Sequence, residues 1–153
     1  MNRLFLLVTV FLIFRCDESF STGSSAINYN PEFSIHNDSG NVYVEIYDYP
    51  EIAGFQFDLT IQGDGQITSL NASGGLSEEN NFTVSTGLEN LRVLGFSLIG
   101  DSIEALSLES GNLVYLDIAV TDNCQIGVDN VILSGHNGSE IDVNVSPTLI
   151  TLP

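Results

Sequence analysis

The stretch Phe55-Gln56-Phe57-Asp58-Leu59-Thr60-Ile61-Gln62 alternates apolar and polar side chains without a break. Successive side chains of a β-strand point to opposite faces. This period therefore sets Phe55, Phe57, Leu59 and Ile61 as a buried row, with Gln56, Asp58, Thr60 and Gln62 facing outward. A helix would need apolar residues both three and four apart, and here no two are three apart.

The same period recurs on both sides. Val42, Val44 and Ile46 alternate with Tyr43, Glu45 and Tyr47. Inward rows are also expected from Leu94, Phe96 and Leu98, from Val114, Leu116, Ile118 and Val120, and from Ile141, Val143 and Val145. Residues 66–70, 82–85, 128–134 and 148–152 read as weaker strands. Turn signals fall at Asp38-Ser39-Gly40, Gly63-Asp64-Gly65, Ser73-Gly74-Gly75, Ser110-Gly111-Asn112 and Asn137-Gly138. Beyond the N-terminal segment, helix signal is confined to a short turn over residues 76–80. Many short strands at this spacing predict an all-β sandwich or barrel, not a parallel α/β sheet.

The N-terminus reads as an export signal. Arg3 precedes an apolar run at residues 4–14, the length of a signal-peptide core and short of the about 20 residues a membrane span needs. Ser19 and Ser21 suit a cleavage site ahead of Thr22. The expected organisation is a signal peptide at 1–21, a flexible lead-in at 22–31 and one sandwich domain at 32–153, secreted or on the cell surface. Lipid anchoring through Cys16 ranks second, because Arg15 stands where that pathway takes a small residue. Cys124 is then the one cysteine left in the domain, so no disulfide supports the fold and Cys124 reads as a small buried hydrophobe.

The net charge is −17, with no Lys anywhere and Arg92 the only Arg beyond the leader. Such a surface repels nucleic acid and anionic membranes, both of which need Lys and Arg. It keeps an exported domain soluble and monomeric.

Motifs for catalysis fail on context. Gly100-Asp101-Ser102-Ile103 resembles the nucleophile block of GDSL-type hydrolases, but neither His36 nor His136 follows an Asp by three positions as that family requires. Asp38-Ser39-Gly40 has no second copy to form an aspartic-protease dyad. A glycosidase would need a deep cleft and aromatic subsites that a small sandwich without Trp does not offer. No cofactor is expected. Structural calcium could be held by the acidic loops at Asp122-Asn123 or residues 137–142, whose oxygen ligands suit that ion. Tyr43, Tyr47 and Tyr49 are candidate glycan contacts along one strand, or else a second buried face. Asn37, Asn71, Asn81 and Asn137 each begin an N-x-[ST] sequon.

Several of these segments resemble cohesin domains. Ile52-Ala53-Gly54-Phe55-Gln56-Phe57-Asp58-Leu59 is similar to the early cohesin strand, and Gly95-Phe96-Ser97 to a middle one. Gly111 to Val120 resembles the later strand, and residues 131–134 with 138–143 resemble the closing hairpin. The likeness spans roughly residues 40–146 in order. Thr60-Ile61-Gln62-Gly63 departs from the Tyr-Asp turn usual there. The resemblance implies a jelly-roll β-sandwich of about nine mostly antiparallel strands, related to carbohydrate-binding modules, which binds dockerin modules across one sheet face. It transfers no individual contact residue. The expected function is thus a non-catalytic binding or adhesion module for a dockerin-like protein, with polysaccharide binding as the alternative. Protein binding predicts a flat, polar strand face. Glycan binding predicts an aromatic strip beside a groove.

Overall fold

The structure, a computed structural model, describes residues 27–153. The leader, its cleavage point and Cys16 lie outside the described residues. The strands are β1 (Glu32–Asp38), β2 (Asn41–Tyr49), β3 (Gly54–Gly63), β4 (Ile67–Ser73), β5 (Phe82–Gly87), β6 (Arg92–Ser97), β7 (Leu106–Val120) and β8 (Cys124–Ser134), then β9 (Glu140–Ile141), β10 (Asn144–Val145) and β11 (Ile150–Leu152). A five-residue helix, α1 (Gly75–Glu79), sits between β4 and β5. Nine strands have three or more residues, as expected of the sandwich; β9 and β10 add two short ones.

One sheet has the order β10-β1-β2-β7-β4 and the other β11-β8-β3-β6-β5, with β9 also on β8. All pairings are antiparallel except β1 with β10. The two apolar faces close on one core. Phe57 of β3 meets Phe33 of β1 across the sandwich at 5.3 Å between ring centres, and stacks beside Phe55 at 6.2 Å. Phe55 stacks in turn on Phe82 of β5 at 6.1 Å. Phe55, Phe57 and Leu59 are buried and Ile61 packs at the rim, so the row read in β3 is the core row. Val114 and Leu116 are likewise buried, with Ile118 and Val120 packed against them. Cys124 is a free, buried thiol.

Four local readings are corrected. In β6 the inward residues are Val93 and Gly95, while Leu94 is exposed, Phe96 half-buried and Leu98 exposed beyond the strand end. The cause is Phe55: a Cβ on Gly95 would lie 2.2 Å from its ring, so the aromatic fills the space a β6 side chain would take. A glycine inside a strand often marks such a close approach.

The expected turn at Ser110-Gly111-Asn112 is instead the interior of β7, with a register shift opposite Val44 and Glu45. Gly111 is there because α1 packs onto it: a Cβ would stand 2.6 Å from Leu76. The neighbouring Ser77 hydroxyl donates to the Leu113 carbonyl at 2.6 Å, fixing the helix to the same strand.

The third correction concerns Ile141 to Val145, which do not form one strand. Residues 140–141 pair with β8 and residues 144–145 with β1, so the chain changes sheets between them. Finally, Asn30 and Pro31, expected in a flexible lead-in, are tied down. The Asn30 N–H donates to Asp48 Oδ2 at 2.8 Å, and Pro31 O accepts from Asn144 N at 2.8 Å.

Asp38-Ser39-Gly40 does turn the chain. Ser39 and Gly40 have φ of 54° and 94° between the paired Asp38 and Asn41, the two-residue hairpin geometry that matches strand twist. Asn137 and Gly138 form a 3-10 turn with φ of 60° and 73°.

Phe57→Ala should lower unfolding stability in denaturant titration by about 3–5 kcal/mol, the usual cost of emptying an aromatic core site. Leu94→Ser should change it by no more than about 0.5 kcal/mol, as for an ordinary surface site. A large loss at Leu94 would contradict the parity described for β6.

Candidate functional site

The period of β2 carries Tyr43, Glu45 and Tyr47 outward, but not Tyr49. Asp48 has φ of 49° and the β2–β7 register shifts between Tyr47 and Tyr49. This bulge reverses the parity, so Tyr49 is buried and is not a surface glycan contact. Burial raises the Tyr49 pKa, with Glu79 adding to the effect. Asp48, itself buried, accepts hydrogen bonds from the Leu108 and Asn30 N–H groups, which lower its pKa.

The remaining outward residues form a row that no single strand reveals. His36 of β1 pairs with Tyr43 of β2, and Tyr43 pairs with Tyr115 of β7. Their ring centres are 5.3 and 6.0 Å apart, the first pair stacked and the second tilted. Tyr115 is 42% exposed and Tyr47 37%. Tyr115 is thus a member of this row that sequence reading missed; its strand was legible, but its partner across the sheet was not.

The outer face of the other sheet has a different character. Cross-strand register aligns Ser85, Leu94, Gln56 and Ile132 in one row across β5, β6, β3 and β8. The next row is Thr83, Phe96, Gly54 and Ser134. On the other side stand Gly87, Arg92, Asp58 and Asp129. Ile132 is 50% exposed and Leu94 38%. They flank a shallow groove of about 260 Å³ floored by Gly54 and Gly95. Gly54 keeps it open, since a Cβ there would stand 2.9 Å from Ser134 Oγ. Arg92, the one Lys or Arg among the described residues, grips Asp58 with both Nε and Nη2, at 2.7 and 2.9 Å. Asn130 Nδ2 adds a third hydrogen bond at 3.1 Å. The Arg92 hydrogen bonds hold the Asp58 carboxyl below its ordinary range, against desolvation, with Asn130 contributing.

A third feature lies at one end of the sandwich, where Glu51, Asp101 and Ser102 line an open cleft of about 530 Å³. Ser102 Oγ donates a hydrogen bond to Glu51 Oε1, and His136 Nδ1 is 3.7 Å from that same oxygen. The acid therefore lies between the hydroxyl and the imidazole. Nucleophilic catalysis needs the base against the nucleophile and the acid behind it, so the order is wrong for a hydrolase. Among the described residues no group of three or more His, Cys, Asp or Glu is placed to hold a metal ion. No helix among the described residues is long and apolar enough to cross a membrane. The asparagines of all four sequons are exposed.

No protein-family model matches the sequence, and no curated protein does. Solved structures do match, and they are cohesin modules. One chain of the CaDoc0917–CaCohA2 complex is 18% identical, with a TM-score of 0.55 over 81% of this chain and all of that one. A non-cellulosomal cohesin from the hyperthermophilic archaeon Archaeoglobus fulgidus is 12% identical, with a TM-score of 0.52 over 78% of this chain and 86% of its own. The third ScaB cohesin of R. flavefaciens, solved with a group 1 dockerin, is 13% identical, with a TM-score of 0.51 over 80% of this chain and 94% of its own. At these identities the likeness shows the fold: an all-β, cohesin-like sandwich.

The folded-state pKa values of Asp48 and Asp58 lie below the unfolded value of about 3.9. Each carboxylate therefore contributes stability that is fully present above that pH and is lost as pH falls through the folded value. Melting temperature measured from pH 6 downward should fall below about pH 4, and Asp48→Asn should make that acid limb shallower. An unchanged acid limb in both Asp48→Asn and Asp58→Asn would contradict these assignments.

Proposed function

We propose that this cohesin-like domain is a non-catalytic, exported recognition module that binds a dockerin-type protein across the outer face of β5-β6-β3-β8. The observation that carries this reading is the apolar centre of that face, which differs from the flat, polar face expected from the sequence. Leu94 and Phe96 of β6 and Ile132 of β8 point away from the core, on two strands that the core holds rigid. Gln56 stands between Leu94 and Ile132, and Ser85, Thr83 and the Asp58–Arg92 pair flank the patch.

An apolar centre with a polar rim is the anatomy of a protein-binding patch. Four strands spaced by about 4.8 Å make a face roughly 15–20 Å across, room for one or two helices of about 10 Å diameter. Rigid strands lose little conformational freedom on association, which favours affinity from a small patch. The R. flavefaciens neighbour was solved bound to a dockerin, which supports the same class of partner here. Export is supported by the apolar N-terminal run, and an extracellular or cell-surface setting suits a strongly acidic surface.

The test is titration of the purified protein against a panel of dockerin modules with calcium present. One or more should bind, and Leu94→Asp combined with Ile132→Asp should weaken that binding by about thirtyfold or more, as for hot-spot side chains. The melting temperature should stay close to that of the parent. A panel with no binder, or a binder indifferent to these substitutions, would remove dockerin recognition by this face.

A further inference from the structure

We propose that the opposite face, across β1, β2 and β7, is a second binding site, which takes a neutral polysaccharide chain on the His36–Tyr43–Tyr115 row. The three rings are opposite one another in the register of adjacent strands, so the row runs across the sheet instead of along it. They lie on the open face of a sheet, which suits the interior of a long chain better than a chain end. The sugar ring presents C–H groups on its faces and hydroxyls at its rim. Aromatic side chains bury the first, while nearby polar groups satisfy the second.

Each ring is already held in place. Tyr115 leans on Gly74, where a Cβ would stand 3.0 Å from its Cδ2, and its hydroxyl accepts from Asn112 Nδ2 at 3.0 Å. His36 Nε2 lies 2.8 Å from Ser34 Oγ. Tyr43 is gripped between the two. A pre-ordered platform spends little entropy when a ligand arrives. Nothing in the packing of the core requires these rings to be aromatic, because the buried row of β2 is Val42, Val44 and Ile46.

Beside the row is a cleft of about 420 Å³ lined by Glu32, Ser34, Glu45, Tyr47 and Ser110. Ser110 Oγ donates to Glu45 Oε2 at 3.1 Å, while Glu45 Oε1 lies 3.8 Å from His36 Nε2 and has no hydroxyl partner. Carboxylates and hydroxyls in this arrangement are acceptors and donors for sugar hydroxyls, and the charged ones make the stronger bonds.

Charge then selects among polymers. Glu32, Glu45 and Asp117 are on this face, and Arg92, the one Lys or Arg among the described residues, is on the opposite sheet. An anionic polymer would meet only like charge. A neutral one meets none, and that fits the acidity of the whole chain.

Native affinity electrophoresis of the purified protein tests this site. The gels would contain a neutral glucan, xylan or mannan, with polygalacturonate as the anionic counterpart. Migration should be retarded in at least one neutral gel and unchanged in polygalacturonate. Tyr115→Ala should weaken the retardation about tenfold, the scale of one lost aromatic contact. Glu45→Gln, which leaves the rings in place, should weaken it without changing the melting temperature. Leu94→Asp with Ile132→Asp should leave it intact, which separates this site from the protein-binding face. Absence of retardation in every neutral gel, equal retardation in polygalacturonate, or retardation unaffected by Tyr115→Ala and Glu45→Gln would each overturn the proposal.

Discussion

Phe55 and Phe57, side by side on the inward face of β3, are the contact on which the rest of the molecule depends. Phe57 reaches Phe33 in the opposite sheet and so joins the two layers. Phe55 covers Gly95 and stacks on Phe82, which ties β3 to β6 and β5 within its own layer. The second contact also decides which way β6 faces. With the ring lying where a side chain would be, β6 turns Gly95 inward, and Leu94 and Phe96 must then point outward. A packing choice in the core thus creates the apolar centre of the outer surface. Core and site are two sides of the same strands.

How much of this was legible in the sequence follows from what each feature depends on. The β3 row could be read because it needs only one strand and strict alternation. Val114 and Leu116 were legible for the same reason. The orientation of β6 was not, because hydrophobicity alone favours Leu94 and Phe96 over Val93 and Gly95; the deciding volume belongs to a neighbouring strand. Gly95 itself was the available clue. Tyr49 was misplaced because Asp48 adopts a left-handed backbone and shifts the parity, and Asp is only modestly favoured in that conformation. Gly111 looked like a turn when it was a seat for Leu76. The aromatic row lay outside the reach of periodicity altogether, since Tyr43 and Tyr115 are far apart in sequence and meet only through register.

The two outer faces divide along chemical lines although both are built on central strands of their sheets. One combines aliphatic side chains with the one Arg92–Asp58 clamp; the other combines rings, hydroxyls and carboxylates. Because the core is continuous between them, neither face needs to move for the other to be occupied. The sandwich is about 10 Å between layers, thin enough to hold two surfaces back to back and stiff enough to keep each flat.

The late change of sheets near residue 142 has a consequence for how the chain assembles over time. β1 is made well before β10, yet its outer edge is covered by Asn144 and Val145 of that strand, more than a hundred residues further along the chain. Such pairing between distant segments raises contact order and slows folding. Until then the nascent molecule exposes a bare strand edge next to its buried Phe33 and Ile35, the kind of edge through which unfinished chains associate. Asn144 and Val145 therefore act as a latch: the order in which the molecule is made leaves the outer edge of β1 bare until they arrive.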